Sequence, residues 1–369
     1  MRDLSVCLSV CLSVLLIACG PGEDEALSRD RANGDTVLLL GELPEVDIGG
    51  LGDVADTLLM IAAAATRLSS GVIVVADPYA PAVRYFAPTG ELLRSVGRRG
   101  DGPGEFQAPW WLRQCGPDSV FVWDAYQGRV TVLDEVGALV REFQFDSEPA
   151  LLECSRSGVF AAIGTTQSPQ ARLGTRLSGP VMVLDRDGQV LRSFDEMPYF
   201  EIRPMGRVTS LAMSDSFLFV GTGDSAFVEV YDPQVGRVGG VGVGEASRKP
   251  TDRQYDRAIE AAAAQFSNHS DRESAKAMQR QLFASPPDEL PSYSALQASS
   301  DGVLWAVTSF PGDSITVLQA VNAVGDLLGS VRIPIDLKIF EIGTWYVLGT
   351  YETELGVPHV VMYRMEPRS

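Results

Sequence analysis

Histidine is nearly missing from this chain, with two residues in 369, which leaves little room for a multi-histidine metal centre or for histidine-based catalysis. Positive charge is also scarce: 30 Lys and Arg stand against 48 Asp and Glu, a net charge of −18. A phosphate backbone would be repelled, so nucleic acid is not an expected partner. No apolar run reaches the ~20 residues a membrane-spanning helix needs, and no G-x-S-x-G nucleophile elbow is present. Charged residues are 21% and hydrophobic ones 45%, ordinary globular values that argue against disorder. Glycine (36) and proline (22) are plentiful and supply many turns without a collagen-like period.

The longest apolar stretch, Leu4–Ala18, follows a thin positive start at Arg2 weakened by Asp3 and has the length of a signal-peptide core. It ends in Leu16-Ile17-Ala18-Cys19, which resembles the bacterial lipobox. That resemblance implies a lipid on the Cys19 thiol, cleavage before it, and a lipid-anchored protein of the bacterial cell envelope facing the periplasm or exterior. An ordinary signal peptide, or a buried helix with a chance cysteine, are the alternatives. Residues 20–35 are polar and aperiodic and read as a flexible tether. The domain reading is a signal at 1–18, a tether at 19–35 and one folded body at 36–369. Of five cysteines, Cys7 and Cys11 would leave with the signal and Cys19 would carry lipid. Cys115 and Cys154 remain, in a compartment that permits disulfides.

The body repeats. A turn, an apolar run, a loop, a second run, a Gly turn and a third run recur from Gly71, Ser119, Gly158, Ser216, Gly302 and Thr344. The spacings are 48, 39, 58, 86 and 42 residues, close to a propeller-blade period apart from one insertion. Val72–Val75 and Val120–Trp123 are apolar on both faces, as strands between neighbouring sheets must be. Six blades are expected in an all-β propeller. The last blade looks one strand short, and Thr36–Leu40 could supply it and close the ring.

The insertion, about 250–287, reads as a helical hairpin between blades four and five. Thr251 is a cap for a stripe of Tyr255, Ile259, Ala262 and Phe266. Ser270 and Glu273 form a capping-box pattern ahead of Ala275, Met278 and Leu282. It should lie on one face of the disc in a lid-like position, or simply pack there.

Gly97-Arg98-Arg99-Gly100-Asp101-Gly102-Pro103-Gly104-Glu105-Phe106-Gln107-Ala108-Pro109 resembles the linker motif of NHL-type propellers, G-x-x-G-x-G-x-G-x-F-x-x-P. Pro291–Ser294 followed by Asp301–Trp305 looks like a blade start in bacterial six-bladed propeller lipoproteins of the NHL/TolB-like superfamily. The resemblance covers roughly 36–366 and implies no single activity. The Gly-rich linker is no phosphate cradle, since Glu105-Phe106 stand where a P-loop needs Lys-Ser/Thr.

Candidate site residues are few. Asp77 and Asp124 end second strands; they either take part in axial chemistry or accept backbone hydrogen bonds in the following turns, and Gly or Thr stands near those points in the other repeats. Enzymes of similar fold hold an axial divalent ion, for which Glu153 with an Asp such as Asp77 is the available set; His269 and His359 are not spaced as ligands. Trp110–Arg113 should be an innermost strand, in which one tryptophan packs and its neighbour faces the channel or a blade interface. Trp111, Arg113 and Arg203 are the ligand-binding candidates, and Arg98, Arg99 and Arg207 could extend a positive spot or face solvent. Cys115 and Cys154 occupy the same place in consecutive repeats, and a disulfide requires their Cα atoms within about 7 Å. The functional expectation is a non-catalytic binding module with no cofactor, whose partner is a protein, peptide or carbohydrate meeting the axis mouth and the insertion. The alternatives are a lactonase- or lyase-like enzyme with one axial divalent ion, and a passive envelope scaffold.

Overall fold

The computed structural model describes residues 37–49, 59–117, 119–145, 149–164, 176–201, 205–243, 248–263, 269–282 and 286–367. Cys19, Arg203 and Phe266 lie outside the described residues.

Second strands such as β4 (Ile73–Asp77) and β12 (Phe160–Gly164) are buried at every position, whereas a fourth strand, β6 (Leu92–Val96), is mostly exposed. The sequence follows that gradient: IVVAD and FAAIG inside, LLRSV outside. Each antiparallel meander runs from an inner first strand to an outer fourth. The first sheet is β3 (Ala64–Arg67), β4, β5 (Ala82–Phe86) and β6. The second is β7 (Pro109–Gln114), β8 (Ser119–Asp124), β9 (Arg129–Asp134) and β10 (Leu139–Gln144). The third is β11 (Pro149–Cys154), β12, β13 (Arg176–Leu184) and β14 (Val190–Glu201), and the fourth is β15 (Ser210–Met213), β16 (Leu218–Gly221), β17 (Phe227–Asp232) and β18 (Gly236–Gly242).

The remaining strands form one nine-stranded sheet. It runs β19 (Ala295–Ala298), β20 (Leu304–Thr308), β21 (Ile315–Val321), β22 (Leu327–Pro334), β1 (Val37–Leu40), β25 (Pro358–Pro367), β24 (Tyr346–Glu352) and β23 (Lys338–Ile342). β2 (Val46–Gly49) pairs with β25 off that path. The result is an all-β, propeller-like fold with two described helices.

Closure by the N-terminus differs in detail from the sequence reading. β1 takes the register Leu38↔Pro367 to Leu40↔Met365 on β25 and also runs parallel to β22, so it joins two meanders. The strand that flanks the start of β25 is β2, in register Val46↔Met362 to Gly49↔His359. Val46 and Ile48 turn inward into a cluster with Phe86, Phe340 and Leu348, while Leu38 of β1 packs in a separate cluster with Trp305, Val347 and Val361.

Core clusters lie between sheets. Leu112 and Val122 of the second sheet meet Val74 and Tyr85 of the first, and Phe121 of the second meets Phe160 of the third. Val46, Ile48 and Leu348 of the nine-stranded sheet meet Ile73 and Val75 of the first, which closes the ring. Burying each such side chain contributes about 1.5–3 kcal/mol.

Because successive strands are antiparallel, first-to-second turns fall on one face of the disc, the exit face. Second-to-third turns and the crossings to the next sheet fall on the other, the entry face. Helices α1 (Asp252–Ala263) and α2 (His269–Leu282) interrupt the crossing from β18 to β19 and therefore belong to the entry face. Thr251 caps α1 reciprocally: its Oγ1 accepts from Gln254 N at 3.2 Å and Gln254 Oε1 accepts from Thr251 N at 3.0 Å. The buried stripe is Tyr255, Ala258, Ile259 and Ala263, rotated slightly from the expected one, and it packs on Met205. Ser270 lies inside α2 rather than before it, and Met278 is half exposed. Gln254 Nε2 donates to Asp313 Oδ1 at 2.8 Å and Arg248 pairs with Asp313 at 3.3 Å, which pins the hairpin to the β20–β21 turn.

Candidate functional site at the axis

The first strands of the meanders converge on an axial channel. Thr66 of β3, Arg113 of β7, Glu153 of β11, Leu211 of β15, Gln297 of β19 and Glu341 of β23 line a cavity of ≈ 80 Å³. Most of its walls come from the later parts of these strands and the turns after them, so it lies toward the exit face. The helical hairpin stands on the opposite face, and the expected surface joining axis mouth and insertion is thus divided between two sides of the disc.

Two carboxylates dominate the channel. Glu341 accepts hydrogen bonds from the Thr66 and Tyr346 hydroxyls and from the Arg67 backbone N–H at 3.3 Å. Burial, reinforced by the neighbouring Glu341 charge, pushes the Tyr346 phenol well above its ordinary value. The Arg67 guanidinium lies 5.0 Å from the Trp345 ring centre and 5.2 Å from that of Tyr346, a cation–π arrangement at the rim.

Glu153 faces Arg113 in an ion pair of 3.6 Å. Burial raises its pKa, Arg113 opposes the rise and the Glu341 charge adds to it. Arg113 Nη1 also donates to its own strand at Leu112 O, 3.2 Å away. The Glu341 and Glu153 carboxylates are thus each engaged by groups of the channel wall, and Asp215, which also lines the cavity beside Arg156, accepts from the Arg156 backbone N–H at 2.9 Å. Among the described residues no cluster of three or more His, Cys, Asp and Glu side chains is arranged to hold a metal ion.

The other sequence candidates separate. Trp111 is corrected: its ring packs against Phe160 at 6.5 Å between the second and third sheets, and its Nε1 is buried without a partner among the described residues. A register shift between Pro109 and Trp111 turns its neighbour Trp110 outward, 44% exposed. Asp77 and Asp124 are fully buried, absent from the channel lining, and hold turns through backbone N–H groups. His359 Nδ1 lies 2.7 Å from Asp47 Oδ1, with its ring stacked on Tyr351, away from the axis. Arg98 pairs with Glu105 and Arg207 with Asp224, so these two do not gather into one positive spot with Arg99. Cys115 and Cys154 form a disulfide with Cα atoms 5.7 Å apart, tying the ends of β7 and β11 beside the channel.

Glu341, Tyr346, Thr66 and Arg67 were not singled out from sequence. The recurring pattern opens its sixth unit at Thr344, three residues beyond Glu341, so the inner strand KIFEI falls outside it. The available signal was position: an acidic residue in the run just before the recurring turn, as at Glu153.

No protein-family model matches the chain, and no curated protein matches it. Solved structures resemble it. A Bacteroides vulgatus member of the DUF4221 family superposes with a TM-score of 0.57 at 11% identity, covering 91% of this chain and 99% of that one. A Bacteroides fragilis protein assigned as exported gives 0.55 at 12% identity, covering 89% and 96%. At these identities the likeness concerns the fold, and it places the chain among β-propeller structures.

Proposed function

We propose that this chain is a lipid-anchored, extracytoplasmic six-bladed β-propeller that acts as a non-catalytic binding module for a protein, peptide or carbohydrate. The blade count rests on dividing the nine-stranded sheet at β1. One half is β19–β22 and the other is β23, β24, β25 and β2, each a four-stranded set ordered like the four separate sheets. A hydrophobic cluster led by Trp305, Val331, Val347 and Val361 lies between the halves, as clusters lie between the other sheets. The address rests on Leu16-Ile17-Ala18-Cys19 and on the tether behind it. An exported assignment of one structural neighbour accords with that reading.

The observation that carries the non-catalytic reading is the state of the axial carboxylates. Glu341 is occupied by three donors and Glu153 by Arg113, and the cavity between them, ≈ 80 Å³, is well below the ~300–1,000 Å³ of small-molecule sites. A catalytic carboxylate needs a free lone pair or proton facing room for substrate. The test is thermal unfolding of the protein with EDTA and then with Ca²⁺, Mg²⁺, Mn²⁺ or Zn²⁺. An ion bound only by the folded state at a hundredfold over its Kd adds about 2.7 kcal/mol. A flat response is expected; a metal-specific rise of several degrees would overturn the reading in favour of a lactonase- or lyase-like enzyme.

A further inference from the structure

Asp77 and Asp124 occupy the same place in the first two sheets and make the same turn. Asp77 Oδ1 accepts from Tyr79 N and Ala80 N, both at 3.1 Å, and Asp124 Oδ1 accepts from Tyr126 N at 3.1 Å and Gln127 N at 3.3 Å. Each turn therefore presents a tyrosine from the entry face, and both rings stand well out, Tyr79 at 61% and Tyr126 at 80% exposure. The second carboxylate oxygen of Asp124 accepts from Gln107 N at 2.6 Å and Ala108 N at 2.9 Å, which fixes the approach to Trp110. Trp110 meets Tyr79 edge to face, with ring centres 6.3 Å apart and planes at 83°. Three aromatic side chains are thus held out on rigid backbone, a costly arrangement for isolated rings and a preorganised one for a ligand.

The rings are not a flat patch. With Pro78, Arg99 and Gln107 they wall a cavity of ≈ 360 Å³, within the range of small-ligand sites and several times the axial one. Arg99 is the positive group there. Its guanidinium donates to Tyr79 O at a long 3.5 Å and has no carboxylate partner among the described residues, on a chain whose net charge is −18. The turn-bearing strands β5 and β9 are each hydrogen-bonded on both sides, and β7, which carries Trp110, pairs with β8 and turns its other edge to the axial channel, so neither tyrosine-bearing turn sits beside an open sheet edge for an extended peptide.

We propose that this aromatic corner is a carbohydrate-binding site for an acidic saccharide. The Trp110, Tyr79 and Tyr126 rings would pack on the C–H faces of the sugar rings and Arg99 would pair with a carboxylate. The inference rests on the binding-module reading and gives it a ligand class and a place, off the axis.

The experiment is binding of the full-length lipidated protein, in detergent, to an array of uronic- and sialic-acid-bearing saccharides and their neutral counterparts, followed by calorimetric titration with the best binder. Acidic saccharides are expected to bind in preference to neutral ones. Trp110→Ala and Tyr126→Ala should each weaken binding on the order of tenfold or more, as loss of an aromatic anchor does. Arg99→Gln should remove the preference for acidic over neutral sugars. Tyr126 is so exposed that its replacement leaves the fold intact, which guards against a variant that merely misfolds. No signal on any acidic saccharide, or binding indifferent to both Tyr126→Ala and Arg99→Gln, would overturn the site. A peptide ligand lost with Trp110→Ala would overturn the saccharide class while leaving the binding-module reading standing. The metal-dependent thermal shift described above would overturn that reading separately.

Discussion

Cys115 and Cys154 are bonded across 39 residues of chain, joining the exit ends of two successive inner strands with their Cα atoms 5.7 Å apart. The bond closes a loop containing the last three strands of the second sheet, β8 to β10, and the inner strand β11 of the third. Restricting a loop of that length in the unfolded chain corresponds to about 4 kcal/mol in the chain-entropy picture, and measured values usually come in at about 2–4. Cys154→Ser, or mild reduction of the native protein, should therefore lower the unfolding midpoint in urea. Peptide mapping without reductant should recover the two cysteines in one linked pair. Two free thiols, or a midpoint untouched by reductant, would remove the bridge from the account.

The Arg113–Glu153 pair gives a pH dependence of definite sign. Glu153 has its pKa raised from 4.5 in the folded protein, chiefly by burial. Below about 4.5 both states hold the proton. Between that value and the raised one, the folded state binds more protons than the unfolded one, so stability falls as pH rises. Glu153→Gln should flatten this part of a stability–pH profile. Arg113→Ala leaves the carboxylate without its counter-charge beside Glu341, and should cost about 1–3 kcal/mol at pH 7 and less at pH 5. This is below the range for a fully buried pair, because the two side chains retain 19% and 25% exposure. The double variant should recover most of the loss at pH 7. A single-variant profile parallel to wild type would show that the pair does not govern the channel.

How far these features could be read from sequence depended on the distance over which their causes act. Strands such as Ile73–Asp77 were legible because burial on both faces demands an unbroken apolar run, and the cap at Thr251 because its partner is three residues away. Which of Trp110 and Trp111 packs and which is free to meet a ligand turned on a single register shift, which composition does not reveal: Trp111 lies at a sheet interface and Trp110 stands out. β2 was missed because four residues with an Asp and a Gly carry little strand signal; its core role comes from β25, over 300 residues later. The channel is built from one to three residues per inner strand, brought together laterally by ring closure, so Glu153 was visible as a candidate and its relation to Glu341 was not. The turns at Asp77 and Asp124 were readable as turns, yet their use in displaying Tyr79 and Tyr126 depends on how the two sheets stand side by side.

The linker from Gly97 to Pro109 makes a sharp stability prediction. Phe106 is fully buried in the cluster between the first two sheets, and its N–H donates to Arg98 O at 2.9 Å. Phe106→Ala should cost about 3–5 kcal/mol. Gly97 has φ +83, and a Cβ there would stand 2.5 Å from the Phe106 ring, so Gly97→Ala combines a disfavoured backbone with a clash. Gly128 has φ +60 and open space around it, so Gly128→Ala should cost only the left-handed conformation, about 1–2 kcal/mol. Denaturant midpoints should rank the three in that order of severity, with Gly128→Ala mildest. Equal losses at Gly97 and Gly128 would mean that the approach of Phe106 is not what requires glycine.

The proposed lipid anchor is tested at Cys19. If Cys19 is lipidated, the native protein should fractionate with membranes and incorporate a labelled fatty acid, since several acyl chains hold a protein at a bilayer where one does so only marginally. Cys19→Ala should lose the label while the folded body, which begins at β1 some way along the chain, keeps its thermal midpoint. A label that survives Cys19→Ala, or a native protein without fatty acid, would remove the lipid anchor from the proposal.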